Sequence, residues 1–179
     1  LLAGKPKSGK TSLVKKVLNS LKKTTYGGFF SEEIKENQQR VGFKVVSTNG
    51  DEGILADTIH QSPFPVSKYF VNVSEFERVA LKAITEAEKE KDIIVIDEIG
   101  PMELFSEQFV QAVQKALDSS KPVVCTVHWR MKNDLLQSKL QRDDGERYVV
   151  NHENRDCLHE ILVEKIASLL MHKESNKEL

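Results

Sequence analysis

Apolar positions along this chain follow two periods, and the switches between them outline the elements. Leu13, Val14, Val17, Leu18 and Leu21 recur with helical spacing, so residues 12–21 are expected to form an amphipathic helix. Residues 28–34 and 41–48 are rich in β-branched and aromatic side chains and flank the polar Glu36-Asn37-Gln38-Gln39, which predicts an antiparallel hairpin. A short strand over 53–56 leads into a loop punctuated by Pro63 and Pro65, and 69–73 reads as another strand. Ser74 and Glu77 have the spacing of a capping box, and Phe76, Val79, Ala80, Ala83, Ile84 and Ala87 carry the helical period behind it. Ile93-Ile94-Val95-Ile96 is unbroken apolar sequence, the pattern of a parallel strand buried on both faces. A helix is expected from about Ser106, a buried strand over 122–127 and a short strand over 148–150, with a polar, helical segment bearing Arg130, Arg142 and Arg147 between the two strands. Leu158, Ile161, Leu162, Ile166, Leu169 and Leu170 mark a last helix, followed by a charged stretch, 172–179, expected to fray. Strands and helices in alternation predict an α/β fold with a mostly parallel sheet. Without a repeat, linker or low-complexity stretch, residues 1–171 are expected to form a single domain.

Composition narrows the class. The chain has 179 residues, 39% of them hydrophobic and 30% charged, which is the make-up of a globular protein with a sizeable core. A net charge of −1 gives no global reason to expect nucleic acid or an anionic membrane as partner, and no apolar run reaches bilayer length. Lys15-Lys16 and Lys22-Lys23 fall on the polar side of the first helix and read as a solvated face. Cys125 and Cys157 lack metal-ligand spacing and read as reduced thiols, in keeping with a cytoplasmic protein. The chain opens at Leu1 without a methionine, so the first strand is expected to begin upstream.

Chemistry enters with Gly4-Lys5-Pro6-Lys7-Ser8-Gly9-Lys10-Thr11, which fits G-x-x-x-x-G-K-[ST] between an apolar Leu1-Leu2-Ala3 and the start of a helix. This spacing lets a loop wrap a polyphosphate closely enough for its backbone N–H groups and the helix N-terminus to point at the phosphate oxygens. Gly4 and Gly9 permit the approach, Lys10 would reach the β- and γ-phosphates, and Thr11 would ligate magnesium. The second half of such a site is an acidic residue at the carboxyl end of a buried strand. Ile96 is followed by Asp97 and Glu98: Asp97 is the candidate for holding the metal opposite Thr11, and Glu98 for orienting or deprotonating an attacking water.

The segments Gly28-Phe29 through Glu33-Ile34, Arg40-Val41-Gly42-Phe43, Lys68-Tyr69, Glu75-Phe76-Glu77, Ile96-Asp97-Glu98-Ile99-Gly100-Pro101-Met102-Glu103-Leu104 and Glu153-Asn154-Arg155-Asp156 occur in order. Together they resemble the THEP1-type nucleoside-triphosphatases over nearly the whole chain. The resemblance implies a RecA-like phosphate-loop fold, a three-layer α/β/α arrangement with an extra strand between those carrying the two motifs. It implies magnesium-dependent hydrolysis of ATP, GTP and other nucleoside triphosphates, with residues 4–11 and 96–103 forming the nucleotide site. That assigns Gly4, Lys5, Pro6, Lys7, Ser8, Gly9, Lys10 and Thr11, with Ile96, Asp97, Glu98, Ile99, Gly100, Pro101, Met102 and Glu103, to nucleotide binding. The family usually has glycine where this chain has Lys7, and a positive φ there would strain a lysine.

Other residues keep two readings. Thr126 and His128, closing the strand expected beside Asp97, would sense the γ-phosphate or simply bond the strand end. A charge-stabilising arginine is sought among Arg130, Arg142, Arg147 and Arg155, with Arg130 and Arg155 nearest the expected carboxyl edge. Trp129 would stack on a base or cover the sheet edge. Two other function classes fit the phosphate loop. One is a nucleotide or small-molecule kinase with an arginine-bearing lid, which the Asp97-Glu98 pair disfavours. The other is a nucleotide-binding switch associated with RNA or protein.

Overall fold

The computed structural model describes residues 1–129, 138 and 140–175. The strands are β1 (Leu2–Gly4), β2 (Tyr26–Glu36), β3 (Gln39–Ser47), β4 (Glu52–Asp57), β5 (Pro65–Val66), β6 (Tyr69–Val71), β7 (Ile93–Ile99), β8 (Val123–His128) and β9 (Tyr148–Val149). The helices are α1 (Lys10–Ser20), α2 (Val73–Glu90), α3 (Glu107–Asp118) and α4 (Arg155–Ser175). Among the described residues the strands form one sheet in the order β5-β6-β4-β3-β2-β7-β8-β1-β9. Its central part, β2-β7-β8-β1-β9, is parallel throughout. β8 lies between β1 and β7, which is the extra strand that the resemblance implies between the two motif strands.

The three layers follow from the alternation within β7. Ile94, Ile96 and Ile99 face one apolar cluster with α2 and α3, while Ile93 and Val95 face a second cluster with α1 and α4. Since neither face meets solvent, the strand needs no polar alternation until it reaches Asp97. Phe29, Phe76 and Phe109 pack edge to face at centroid distances of 5.7, 5.9 and 5.0 Å and tie β2, α2 and α3 together. On the other face, Leu13, Val14, Val17 and Leu18 of α1 pack with Leu158, Leu162 and Ile166 of α4.

The expected hairpin is β2 with β3, and the sheet continues past it through β4 and β6 to β5. Pro65, expected in a loop, opens the short edge strand β5, where a missing N–H disrupts no further ladder. The cap of α2 differs from the Ser74–Glu77 reading. Asn72 is the N-cap, its side-chain oxygen accepting from the Glu75 N–H at 3.2 Å. Glu77 instead accepts from Ser106 Oγ at 2.6 Å, a bond to the N-cap residue of α3. Half of the segment expected to be helical between Trp129 and Tyr148, residues 130–137 and 139 with Arg130 among them, lies outside the described residues, and 141–147 form turns and coil rather than helix. Arg142 is described, and it is held by Asp118 at 2.6 Å and Asp144 at 2.7 Å.

Candidate active site

The carboxyl ends of β1, β7 and β8 and the start of α1 and α4 meet at one edge of the sheet. β1 pairs with β8 so that Gly4 lies opposite His128, which sets the phosphate loop beside the end of the strand bearing Thr126. Gly9 is the N-cap of α1 with φ 92°, and no side chain caps the helix, so the first-turn N–H groups are left to the loop's concave face. Gly4 tolerates no side chain: a Cβ there would lie 2.6 Å from the Val150 carbonyl oxygen and 2.7 Å from Ser8 Oγ. Lys7 adopts φ 64°, the left-handed conformation that made the lysine conspicuous in the sequence.

Lys10 is only 6% exposed. Its ammonium donates to the Gly4 carbonyl oxygen at 3.0 Å and to that of Lys5 at 3.5 Å, and it pairs with Glu98 Oε2 at 3.2 Å. Phosphate loop and acidic strand end are thus joined by one ion pair. Asp97 is 1% exposed, and its Oδ1 accepts from Thr126 Oγ1 in a short hydrogen bond. Burial pushes the Asp97 carboxyl up to about 6, against the opposing pull of hydrogen bonds from Thr126 and Thr11. Asp97 Oδ2 is buried without a hydrogen-bond partner. Thr126 therefore acts in this structure as a tether on Asp97, within hydrogen-bond reach of the acid rather than of open solvent.

A third acid lies beside Glu98. Glu103, in the short 3-10 turn Glu103–Phe105, is buried, and its carboxyl is pushed up to about 8 by burial first and then by the charge of Glu98. A Cβ at Gly100 would lie 3.0 Å from Glu103 Oε2 and 3.2 Å from Glu98 Oε1, so the two carboxyl groups flank the same small space. Nothing in the spacing of residues 97–103 announces this; it follows from the turn that Leu104 N–H closes onto the Gly100 carbonyl at 3.1 Å.

The remaining sequence candidates divide. Ile96 and Ile99 are buried among the apolar residues facing α2 and α3, and Met102 packs against that cluster, so their side chains serve the core. Pro101 is exposed. Lys5 places its ammonium 5.9 Å from the Trp129 ring centroid, at the end of β8, and Trp129 is 42% exposed. Arg155 lies against the phosphate loop: a Cβ on Gly9 would meet its Cδ and Nη1 at 3.4 Å. Arg40, whose place in the hairpin carried no role by spacing, is a brace for the antiparallel strands, donating to Tyr69 Oη at 2.9 Å and to Glu33 Oε1 at 2.8 Å. Cys125 is buried and its thiol is pushed up to about 11 by that burial, so it is chemically quiet.

Cavities lie elsewhere as well. One of about 430 Å³, lined by Leu2, Val17, Pro122, Tyr148 and Ile166, opens at the amino-terminal end of the parallel strands. A phosphate site is a lip of backbone amides rather than a cavity, and in open α/β sheets it belongs at the carboxyl edge, where Lys10, Asp97 and Glu98 converge.

A glycine-bounded loop between strand and helix, with an acidic strand end brought to it across one intervening strand, defines a phosphate-loop NTPase of the RecA-like α/β/α class. Comparison with known proteins makes the assignment narrower. A family model described as NTPase matches residues 1–165. The nucleoside-triphosphatase THEP1 of Thermotoga maritima is 38% identical over 179 residues, covering 99% of this chain and 98% of its own. That of Thermofilum pendens is 44% identical over 174 residues, covering 95% and 96%. The crystal structure of THEP1 from the hyperthermophile Aquifex aeolicus matches with a TM-score of 0.82 at 33% identity, covering 92% of this chain and 96% of that one. The solution structure of a human cancer-related nucleoside triphosphatase matches with a TM-score of 0.78 at 32% identity, covering 93% and 96%. The chain belongs to the THEP1 nucleoside-triphosphatase family and is a nucleoside-triphosphate hydrolase. Among the described residues no helix is long and apolar enough to cross a membrane.

Proposed function

We propose that the protein hydrolyses ATP, GTP and other nucleoside triphosphates to the diphosphate and inorganic phosphate, with magnesium, at the site where Lys10 meets Glu98. The supporting observation is the convergence of four side chains from two distant segments: Lys10 on Glu98 at 3.2 Å, and Thr11 on the buried Asp97. Backbone amides of residues 4–11 hold the phosphates, and Lys10 exchanges its partners for β- and γ-phosphate oxygens. Released from that ion pair, Glu98 faces the γ-phosphoryl group as the general base for the attacking water. Thr126 keeps Asp97 in place through its hydrogen bond.

The oxygen donors suit magnesium. Asp97 has a buried Oδ2 without a hydrogen-bond partner and Thr11 brings a hydroxyl to the same carboxyl group, hard oxygen donors of the kind that share a magnesium ion with substrate phosphates. Thr11 and Asp97 would hold the ion, which when bound supplies charge neutralisation at the β- and γ-phosphate oxygens. A kinase lid finds no support from Arg142, which is committed to Asp118 and Asp144. Phosphate release is measured with ATP, GTP, CTP and UTP, with magnesium and with EDTA, and without any phosphoryl acceptor. Turnover of all four that needs magnesium and no acceptor is expected, and strict dependence on an acceptor would refute the proposal.

A further inference from the structure

One cation at the phosphate loop takes no part in the chemistry just described. Arg155 opens α4, and the turn before it is fixed by its own side chains. Asn151 Oδ1 accepts from the N–H groups of Glu153 and Asn154 at 2.9 Å each. Asn154 Oδ1 accepts from the Asn151 N–H at 2.9 Å, and Asn154 Nδ2 donates to the Val149 carbonyl oxygen at 2.8 Å. The same turn presses the Val150 carbonyl against Gly4, so it forms a wall of the loop rather than a distant tether. From it the Arg155 side chain reaches back across Gly9. Among the described residues its guanidinium is in no hydrogen bond or ion pair, whereas Arg40, Arg78 and Arg142 are each engaged by acids.

The strand order says which part of a nucleotide such a group would meet. In β7-β8-β1-β9, the acids come to the loop from the β7 flank and Arg155 from the β9 flank. Lys10 leans toward Glu98, so the terminal phosphate, which a general base must approach to within hydrogen-bond reach, lies on the β7 flank. The remainder of a triphosphate bound along the loop then leads toward β9. We infer that Arg155 grips the nucleoside end of the bound nucleotide, pairing with its α-phosphate and laying the guanidinium plane on the base. A planar guanidinium pairs with phosphate oxygens and stacks on an aromatic face whatever the edge groups of that face, so the contact adds affinity without choosing a base. This inference rests on the hydrolytic reading of the site.

The test measures binding of ADP by calorimetry and steady-state hydrolysis of ATP, GTP, CTP and UTP, in wild type, Arg155→Ala and Arg155→Lys, with circular dichroism to check folding. Arg155→Ala is expected to raise the ADP Kd and the KM of all four triphosphates by about tenfold to a hundredfold, the range for losing a charge-assisted contact, with kcat changed less than about twofold. Arg155→Lys, keeping charge without the plane, is expected to fall between. A fall in kcat at unchanged KM would put Arg155 at the γ-phosphate and overturn the inference, as would wild-type values in both variants. A wild-type protein that binds ADP but hydrolyses nothing would refute the hydrolytic reading, and the ADP arm would still decide the place of Arg155.

Discussion

Glu103→Gln should change how stability depends on pH, with a sign and size set by the burial of this acid. Its carboxyl shifts from 4.5 in the unfolded chain to about 8 in the folded one. Between those values the unfolded state has lost the Glu103 proton and the folded state still holds it. The unfolded state therefore binds fewer protons, and stability falls as pH rises from about 4.5 to about 8, levelling above that. At 1.36 kcal/mol per pKa unit, the full window corresponds to on the order of 3–5 kcal/mol, or a drop in Tm of about 6–20 °C for a chain of this size. The amide that replaces the carboxyl keeps an acceptor for the Gly100 N–H and carries no charge at any pH, so the slope should flatten in the variant. Asp97, shifted from 3.8 to about 6, gives a drop of the same sign in both proteins over its lower window and largely cancels in the comparison. Differential scanning calorimetry of nucleotide-free protein in EDTA, from pH 5 to 8.5, reads the difference directly. The variant should match wild type near pH 5 and melt higher at pH 8.5. Parallel Tm curves would show that Glu103 ionises normally in the fold and would refute the reasoning.

Two further outcomes concern local structure. Asn72→Ala should cost about 1 kcal/mol and lower Tm by about 2–4 °C through loss of the α2 cap, with Ser74→Ala nearly neutral; the reverse order would restore the Ser74 cap. Lys7 sits at φ 64°, so Lys7→Val should lower the apo Tm by more than about 2 °C while Lys7→Gly leaves it level or slightly raised; a valine variant as stable as wild type would contradict the left-handed loop.

Local signals carried most of the fold into view. The apolar run from Ile93 to Ile96 and the period of α2 needed only burial and 3.6-residue geometry, and each buried face in the structure uses the side chains that pattern marks. What escaped was decided between distant segments. Ser74 and Glu77 have capping-box spacing, yet Glu77 is drawn to Ser106, 29 positions on, and the cap passes to Asn72. Pro65 looks like a loop residue until the sheet order makes β5 an edge. In the site, the motifs named Lys10, Thr11, Asp97 and Glu98, because their spacing is fixed by the phosphates they surround. The resemblance put Glu103 among the nucleotide-site residues and the sequence put Arg155 near the carboxyl edge, but the burial of Glu103 beside Glu98 and the lie of Arg155 over Gly9 are set by turns that no local pattern shows.

The most direct measurement sets wild type beside Glu98→Gln. Nucleotide binding is read by calorimetry with magnesium and a non-hydrolysable triphosphate, and phosphate release with ATP. If Glu98 activates the attacking water, the variant should bind the analogue about as tightly as wild type and release phosphate about 100- to 10,000-fold more slowly, the range of general-base catalysis. Phosphate release at the wild-type rate in the Glu98→Gln protein would contradict a hydrolytic centre built on the pairing of Lys10 with Glu98.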